Sequence, residues 1–232
     1  MLNIKIYFCN PFQENTYILW DDTQEGVIVD PGCYDENELE TVTGFIEKKG
    51  IQIKAIWLTH GHFDHIYGVT ALARKYGVEI YGSHKDQIIL EHMAEQTRRF
   101  GIKNPDTDFT TIDLQDRDQI GFGQTEFQVI TTPGHTPGGV CFYCQKEKVL
   151  MSGDTLFAGA IGRSDLYMGE YDDLIVSLMD KIMGLDGDVT VWPGHGPKTD
   201  IGHERTHNPF LQPFNEKEED MDWDEDGLEI HG

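Results

Sequence analysis

Four side chains that bind divalent metals lie close together in the His-x-His-x-Asp-His motif at 60–65. Neutral imidazole and carboxylate are the usual protein ligands of Zn²⁺ and of related divalent ions. In an extended backbone, residues i and i+2 point to the same side, so His60 and His62 are predicted to bind one ion together. As the chain turns into the next element, Asp64 and His65 face another side and can bind a second ion.

The motif lies between an apolar segment and an amphipathic one. Residues 53–58 are rich in β-formers and predict a strand, whereas apolar side chains recur at helical spacing over 66–76. The motif is therefore expected on a strand-to-helix turn. Gly61 has no side chain and is predicted to let the loop bend tightly.

Three further predicted strands each run into a candidate ligand. They are 127–131 before His135, 149–152 before Asp154, and 189–192 before His195. Ligands gathered at strand ends build a site at one edge of a rigid sheet. Five histidines and two aspartates suffice for two ions. One ion could take three histidines and keep an open position for water, as catalytic zinc does, and the two ions could share an aspartate.

The remaining elements are predicted from periodicity and from turn residues. Strands are expected at 4–8, 16–20, 26–29, 78–81 and 140–143, and helices at 36–49, 85–100 and 172–183. Gly50 and Gly101 are expected to end the first two of these helices. Residues 103–118 are polar and mixed, which indicates a loop with short strands.

Composition excludes several classes of partner. The 232 residues carry a formal charge of −23, which repels nucleic acid and anionic membranes. The sequence contains no apolar run long enough to cross a membrane. We also expect no signal peptide at its start. Cys141 and Cys144 fall in one predicted strand, where alternation points them to opposite faces, so we interpret the four cysteines as reduced thiols. We therefore expect a cytoplasmic protein that acts on a small molecule.

The acidic charge is concentrated at the end of the chain. Nine acidic residues and one lysine between Glu216 and Glu229 give a net charge of −8. Such a segment is typical of a solvated tail. We therefore predict one domain over 1–212 and an acidic C-terminal tail over 213–232.

Together these residues resemble the metallo-β-lactamase superfamily, and within it the glyoxalase II-like hydrolases. The resemblance runs from about Asn15 to His195 and implies an α/β (α+β) fold, a four-layer αββα sandwich with a two-metal site at one edge. It assigns His60, His62 and His135 to the first metal. It assigns Asp64, His65 and His195 to the second metal, and Asp154 to the bridge between the two. Zinc is the expected metal, although the same ligands accept iron or manganese.

The chain departs from glyoxalase II in two places. The full-length family has a C-terminal helical domain that binds glutathione, whereas only 37 residues follow His195 here, and they are acidic. The family also places a lysine and a tyrosine after the bridging aspartate to hold glutathione, where this chain offers Arg163 and Asp165. Arg163 can bind a carboxylate bidentately and is our predicted substrate-binding residue. We expect S-lactoylglutathione to bind weakly.

The resemblance implies a hydrolase that attacks a thioester carbonyl with a hydroxide shared by two metal ions. Asp64 and Asp154 are the residues to which it gives a catalytic role, and S-lactoylglutathione is the first candidate substrate. One alternative is a persulfide dioxygenase, since those relatives share the 60–65 motif but hold a single iron with two His and one Asp. Another is a hydrolase of a different ester or lactone. The oligomeric state is left open by the sequence.

Overall fold

The computed structural model describes residues 1–212, 222–224 and 227–229. The first of its two large sheets, sheet A, lies in the N-terminal half. Sheet A contains five strands in sequential order: β1 (Asn3–Cys9), β2 (Glu14–Trp20), β3 (Glu25–Val29), β4 (Gln52–Trp57) and β5 (Glu79–Tyr81). The first three strands pair antiparallel, whereas β3, β4 and β5 run parallel to one another. A parallel pair needs a crossover connection, and helices provide it here.

Sheet B contains six strands of the C-terminal half. They are β6 (Gln119–Phe122), β7 (Thr125–Thr131), β8 (Val140–Cys144), β9 (Val149–Gly153), β12 (Thr190–Pro193) and β13 (Thr199–Asp200). Their spatial order is β13-β12-β9-β8-β7-β6. β9 and β12 are parallel, and the other neighbouring strands are antiparallel. Between β9 and β12 lies a two-stranded hairpin of β10 (Leu156–Phe157) and β11 (Ala160–Ile161).

The helices cover the outer faces of the two sheets. They are α1 (Glu36–Lys49), α2 (Val69–Tyr76), α3 (Gln87–Glu91), α4 (Met93–Phe100), α5 (Tyr171–Val176) and α6 (Ile201–His207). Buried residues of α1 and α2, such as Val42 and Leu72, pack with Ile28 of sheet A. Leu174 of α5 and Ile201 of α6 pack on the outer face of sheet B. The result is the four-layer αββα sandwich that the resemblance implies.

The inner faces of the two sheets form the central core. Trp57 of β4 is almost completely buried and packs against Phe122, Phe127 and Phe142 of sheet B, with ring centroids 5.2–5.9 Å apart. Aromatic pairs at these separations contribute beyond their area of burial.

The alternation predicted for the cysteines of β8 is present. Cys144 lies in the central core and Cys141 in the core under α5 and α6. All four cysteines are buried free thiols in the described part of the chain.

Asp21 connects the ends of the two sheets. Its carboxylate accepts hydrogen bonds from the amide and hydroxyl of Thr23 in the β2–β3 turn. It also accepts from the Gln124 amide and the Thr125 hydroxyl at the β6–β7 turn, at 2.6 and 3.0 Å. Burial alone would raise the pKa of Asp21, but these hydrogen bonds outweigh it and lower the pKa to about 2.

Most predicted elements are confirmed, and two helices differ. α1 begins after the capping side chain of Asp35 and ends at Gly50, whose φ of 70° is left-handed. The helix predicted at 85–100 is wrong as one element: it is a 3-10 turn followed by α3 and α4, which meet at His92 with non-helical backbone angles. The helix predicted at 172–183 is α5 followed by a π-helix, Ser177–Ile182.

Tertiary contacts account for both differences. The break at His92 places its ring on Tyr167, with centroids 4.5 Å apart. In the π-helix, Ser177 Oγ donates to the Pro133 carbonyl and Lys181 Nζ donates to the Thr131 carbonyl, both at 2.7 Å. The wider turn of the π-helix therefore faces the loop that carries His135.

Several short elements were not predicted, and the acidic tail is described only in part. The short strands β6, β10, β11 and β13 and the helix α6 were missed. In the tail, β14 (Asp222–Asp224) and β15 (Gly227–Glu229) pair antiparallel. The predicted boundary at 212/213 and the rest of the tail lie outside the described residues. No helix in the described ranges is long and apolar enough to span a membrane.

Candidate metal centre

The carboxyl ends of β4, β7, β9 and β12 meet at one edge of the sandwich, as predicted. Val140 N donates to the Thr59 carbonyl at 2.8 Å and joins the two sheets at this edge. Asn15 N donates to the Gly194 carbonyl, also at 2.8 Å, and joins the start of β2 to the end of β12. The loops that follow these strands carry all seven predicted ligands.

The ligands form two clusters. The first cluster is His60, His62 and His135, and the second is Asp64, His65 and His195. Within each cluster the ligand atoms lie within 4.8 Å of one another. The structure thus groups these residues as the resemblance implies, and their role as metal ligands stays a prediction.

Asp154 lies between the two clusters. Its Oδ2 is 3.5 Å from His135 Nε2 in the first cluster and 3.7 Å from His195 Nε2 in the second. Its Oδ1 is 3.5 Å from His65 Nε2. This is the position that a bridging carboxylate needs. Gly194 leaves room for it, since a Cβ there would lie 2.2 Å from Asp154 Oδ1.

Three ligand atoms are buried without a hydrogen-bond partner in the described part of the chain. They are the Nε2 atoms of His60 and His65, and Oδ1 of Asp154. His62 faces the first cluster with Nδ1, which lies 2.9 Å from His135 Nε2. A buried polar atom without a partner costs about 1–3 kcal/mol. Three such atoms among the ligands, all of them nitrogen or carboxylate oxygen, fit a bound divalent metal, which supplies the missing partner.

Backbone carbonyls orient the imidazole rings of two ligands. His135 Nδ1 donates to the Arg163 carbonyl at 2.6 Å, and His195 Nδ1 donates to the Phe12 carbonyl at 3.1 Å. A carbonyl accepts only, so each ring carries a proton on Nδ1 and turns Nε2 toward the other ligands: His135 Nε2 lies 2.9 Å from His62 Nδ1, and His195 Nε2 lies 3.3 Å from Asp64 Oδ2. Such partners fix the tautomer of metal-binding histidines.

Asp30, which directly follows β3, orients the rings of two more ligands. Its carboxylate accepts from Thr59 N at 2.7 Å and from Thr59 Oγ1 at 2.6 Å, and it lies 3.1 Å from His65 Nδ1. Because the Thr59 hydroxyl gives its proton to Asp30, it accepts from His60 Nδ1 at 3.0 Å. Asp30 thereby orients one ring of each cluster.

The electrostatics of the two clusters differ. Burial and the neighbouring His135 lower the pKa of His62 to about 3, and burial and His65 hold the pKa of His60 well below its usual range. His60 and His62 are therefore neutral imidazoles at physiological pH, the form that binds metals. Burial also opposes the charge of Asp154, but His65 and His195 outweigh it and hold the pKa of Asp154 well below its usual range.

Asp86 connects the two loops that carry the first cluster, and the sequence analysis missed it. Its carboxylate accepts from Gly61 N at 2.7 Å, from Thr136 Oγ1 at 2.8 Å and from Gly138 N at 2.6 Å. This contact also corrects the reason given for Gly61, which does not have a positive φ. A Cβ at Gly61 would lie 3.2 Å from Cβ of Asp86, so glycine is needed for close approach rather than for bending.

The centre opens into a cavity of about 600 Å³. Arg163, the predicted substrate-binding residue, lines this cavity, and its Nε and Nη2 each donate to a carboxylate oxygen of Asp165 at 2.9 Å. A second arginine, Arg99, also lines the cavity and pairs with Glu95 at 2.8 Å. Arg99 was missed because it belongs to the helix predicted at 85–100, far from any ligand in sequence.

Comparisons with known proteins agree with this geometry. A family model described as the metallo-beta-lactamase superfamily matches residues 9–195. The hydroxyacylglutathione hydrolase GloC of Haemophilus influenzae is 38% identical over 216 residues, which cover 90% of this chain and 98% of that protein. Among solved structures, the BLEG-1 B3 metallo-beta-lactamase has a TM-score of 0.83 at 38% identity, covering 91% of this chain and 99% of that one.

A second solved structure is relevant to the metal. TTHA1623, solved in a di-iron-bound form, has a TM-score of 0.80 at 34% identity, covering 89% of this chain and all of that one (100%). The His/Asp clusters and the family together imply that this centre binds divalent metal. By its sequence, its four-layer fold and these comparisons, the chain belongs to the metallo-beta-lactamase superfamily and is a metallo-hydrolase.

Proposed function

We propose that the protein hydrolyses thioesters of the hydroxyacylglutathione type and holds two divalent ions, with zinc as the expected metal. The observation that carries this proposal is the pair of ligand clusters joined by Asp154 at the base of an open cavity. Its first cluster would hold one ion and its second cluster the other. When bound, such ions polarise a carbonyl oxygen and activate water at neutral pH.

The side chains around the clusters keep this arrangement rigid. Asp30 and the carbonyls of Arg163 and Phe12 accept from Nδ1 of three ligand rings, those of His65, His135 and His195. Preorganised ligands of this kind do not have to reorganise during the reaction. A thiolate is a good leaving group, so thioester hydrolysis needs no strong general acid from the protein.

Arginines on the cavity rim suit the carboxylates of a glutathione thioester. Arg163 and Arg99 both line the cavity. The bidentate contact between Arg163 and Asp165 is the geometry in which a guanidinium binds a carboxylate. We infer that a substrate carboxylate competes with Asp165 for Arg163. The side chains of both residues are more than 60% exposed, so the exchange requires little desolvation.

The similarity to GloC weakens the argument for poor glutathione binding. The expectation came from the C-terminal helical domain with which the full-length glyoxalase II family binds glutathione. The alignment spans 98% of GloC, so a relative named a hydroxyacylglutathione hydrolase extends hardly beyond the matched region. The short C-terminal segment is therefore compatible with a glutathione thioester, and the expected weak binding stays a prediction.

An assay with substrates of several classes tests the proposal on the metal-loaded protein. We expect hydrolysis of S-lactoylglutathione that disappears when the metal is removed and returns when it is restored. The Asp154→Ala variant serves as the inactive control. Oxygen consumption with glutathione persulfide and no thioester hydrolysis would replace the proposal by the dioxygenase alternative. Faster hydrolysis of a cephalosporin or a lactone would point to another substrate class.

A further inference from the structure

Three phenylalanine rings form one wall of the cavity. The ring centroids of Phe12 and Phe63 are 5.1 Å apart, those of Phe63 and Phe100 5.4 Å, and those of Phe12 and Phe100 5.9 Å. All three residues line the cavity. We call this group the phenylalanine wall.

The wall adjoins the second cluster, because the Phe12 carbonyl accepts from His195 Nδ1. Of the two arginines that line the cavity, Arg99 directly precedes Phe100 of the wall, whereas the Arg163 carbonyl accepts from His135 Nδ1 of the first cluster. A substrate that binds Arg163 with its anionic end and spans the metal centre therefore has its other end at the aromatic rings.

The wall offers accessible apolar surface next to the reacting centre. Phe63 is buried and forms its base, whereas Phe100 is 47% exposed. Phe100 is the last residue of α4, and Gly101 in left-handed conformation turns the chain away directly after it. The exposed ring thus stays at the cavity mouth, packed on the edges of the other two.

A lactoyl group leaves most of the phenylalanine wall uncovered. It has one methyl to place against the three rings that line the cavity. An aryl group on the same carbon would extend the edge-to-face packing that Phe12 already shows with Phe63 and with Phe100. Aromatic pairs of this geometry contribute about 0.5–1.5 kcal/mol beyond their area of burial.

We propose that the phenylalanine wall is an acyl subsite, and that the favoured substrates are thioesters with an anionic thiol portion and an aryl-bearing acyl group. This inference rests on the proposed thioester hydrolysis and specifies which thioesters are used. The thiol portion lies toward Arg163, and the acyl side chain lies against Phe12 and Phe100.

The test compares S-mandeloylglutathione with S-lactoylglutathione. The two share the thiol, the carbonyl and the α-hydroxyl, and differ only in phenyl against methyl. We expect kcat/KM to be about tenfold higher for the mandeloyl ester, and Phe100→Ala to reduce this ratio about three- to tenfold. Phe100→Leu keeps an apolar side chain and should give an intermediate ratio. Phe210→Ala is the matched control, since Phe210 is also 47% exposed but does not line the cavity.

The outcomes separate this inference from the proposed function. Equal kcat/KM for the two esters, or a mandeloyl preference that Phe100→Ala and Phe100→Leu leave unchanged, would overturn the acyl subsite while thioester hydrolysis stands. Hydrolysis of neither ester would overturn the proposed function and the inference with it. A ratio that falls in Phe100→Ala but not in Phe210→Ala supports the inference.

Discussion

The carboxylate of Asp86 should decide how tightly the first cluster holds its metal. Asp86 is 4% exposed, and its Oδ2 accepts from Gly61 N and from the Thr136 hydroxyl, while its Oδ1 accepts from Gly138 N. Gly61 lies between His60 and His62, and Thr136 follows His135. One side chain therefore fixes the relative position of the two loops that carry the cluster.

The substitution Asp86→Asn tests this role without changing the size of the side chain. An asparagine has one acceptor oxygen and one amide group that only donates. In either orientation of the amide, its NH₂ faces Gly61 N or Gly138 N, so one buried N–H loses its acceptor. Loss of that acceptor should cost about 1–3 kcal/mol of the free energy of unfolding. In a domain of this size each kcal/mol lowers Tm by about 2–4 °C.

Metal affinity should fall more selectively than stability. Partners that orient metal ligands typically contribute about 10- to 100-fold to metal affinity. We therefore expect one of two metal equivalents to weaken by about that factor in Asp86→Asn, measured by competition with a chromophoric chelator. The control is Asp200→Ala, which removes a carboxylate that accepts from His203 N at the start of α6. That change should cost about 1 kcal/mol of stability and leave both metals unaffected.

The comparison of the two variants can refute the reasoning. If Asp86→Asn loses stability but retains two equivalents at wild-type affinity, as Asp200→Ala should, the carboxylate does not position the first cluster. If one of the two metal equivalents binds more weakly in both variants, general loosening of the fold controls metal affinity, rather than the contact of Asp86 to Gly61 and Gly138.

Elemental analysis should find close to two divalent ions per chain, mostly zinc, and Asp154→Ala should retain the fold but lose several orders of magnitude in kcat because the bridge is removed. Arg163→Ala should raise KM about tenfold or more for anionic thioesters and leave neutral thioesters almost unchanged, measured with matched substrates. Asp21 has a folded pKa of about 2, below its ordinary value of 3.8. Its contribution to stability is thus present above about pH 4 and lost as the pH falls toward 2. Asp21→Asn should lower Tm at neutral pH and reduce the loss of Tm over that acidic window.

Patterns that are local in sequence predicted most of the fold, whereas the grouping of the ligands was implied by the resemblance to the metallo-β-lactamase superfamily. The strand before His60 and the capping glycines Gly50 and Gly101 depend on neighbours within a few residues, which fix both periodicity and turn chemistry. The break at His92 and the π-helix beginning at Ser177 depend on contacts with Tyr167 and Pro133, more than forty residues away in sequence. Propensity carries no information about such contacts, so both segments were predicted as uninterrupted helices.

The same distinction separates the ligands from the residues that orient them. The seven predicted ligands have side chains with their own metal chemistry, so their types and spacing predict a site directly. Asp30 and Asp86 are ordinary aspartates in sequence, and each acquires its role by accepting hydrogen bonds from a loop 25 or more residues away. Phe100 is likewise the last apolar residue of a helix until the fold places it against Phe12 and Phe63. Chemistry in this protein is therefore specified locally, whereas ligand orientation and substrate selectivity arise only from the assembled loops, where variants such as Asp86→Asn and Phe100→Ala should act.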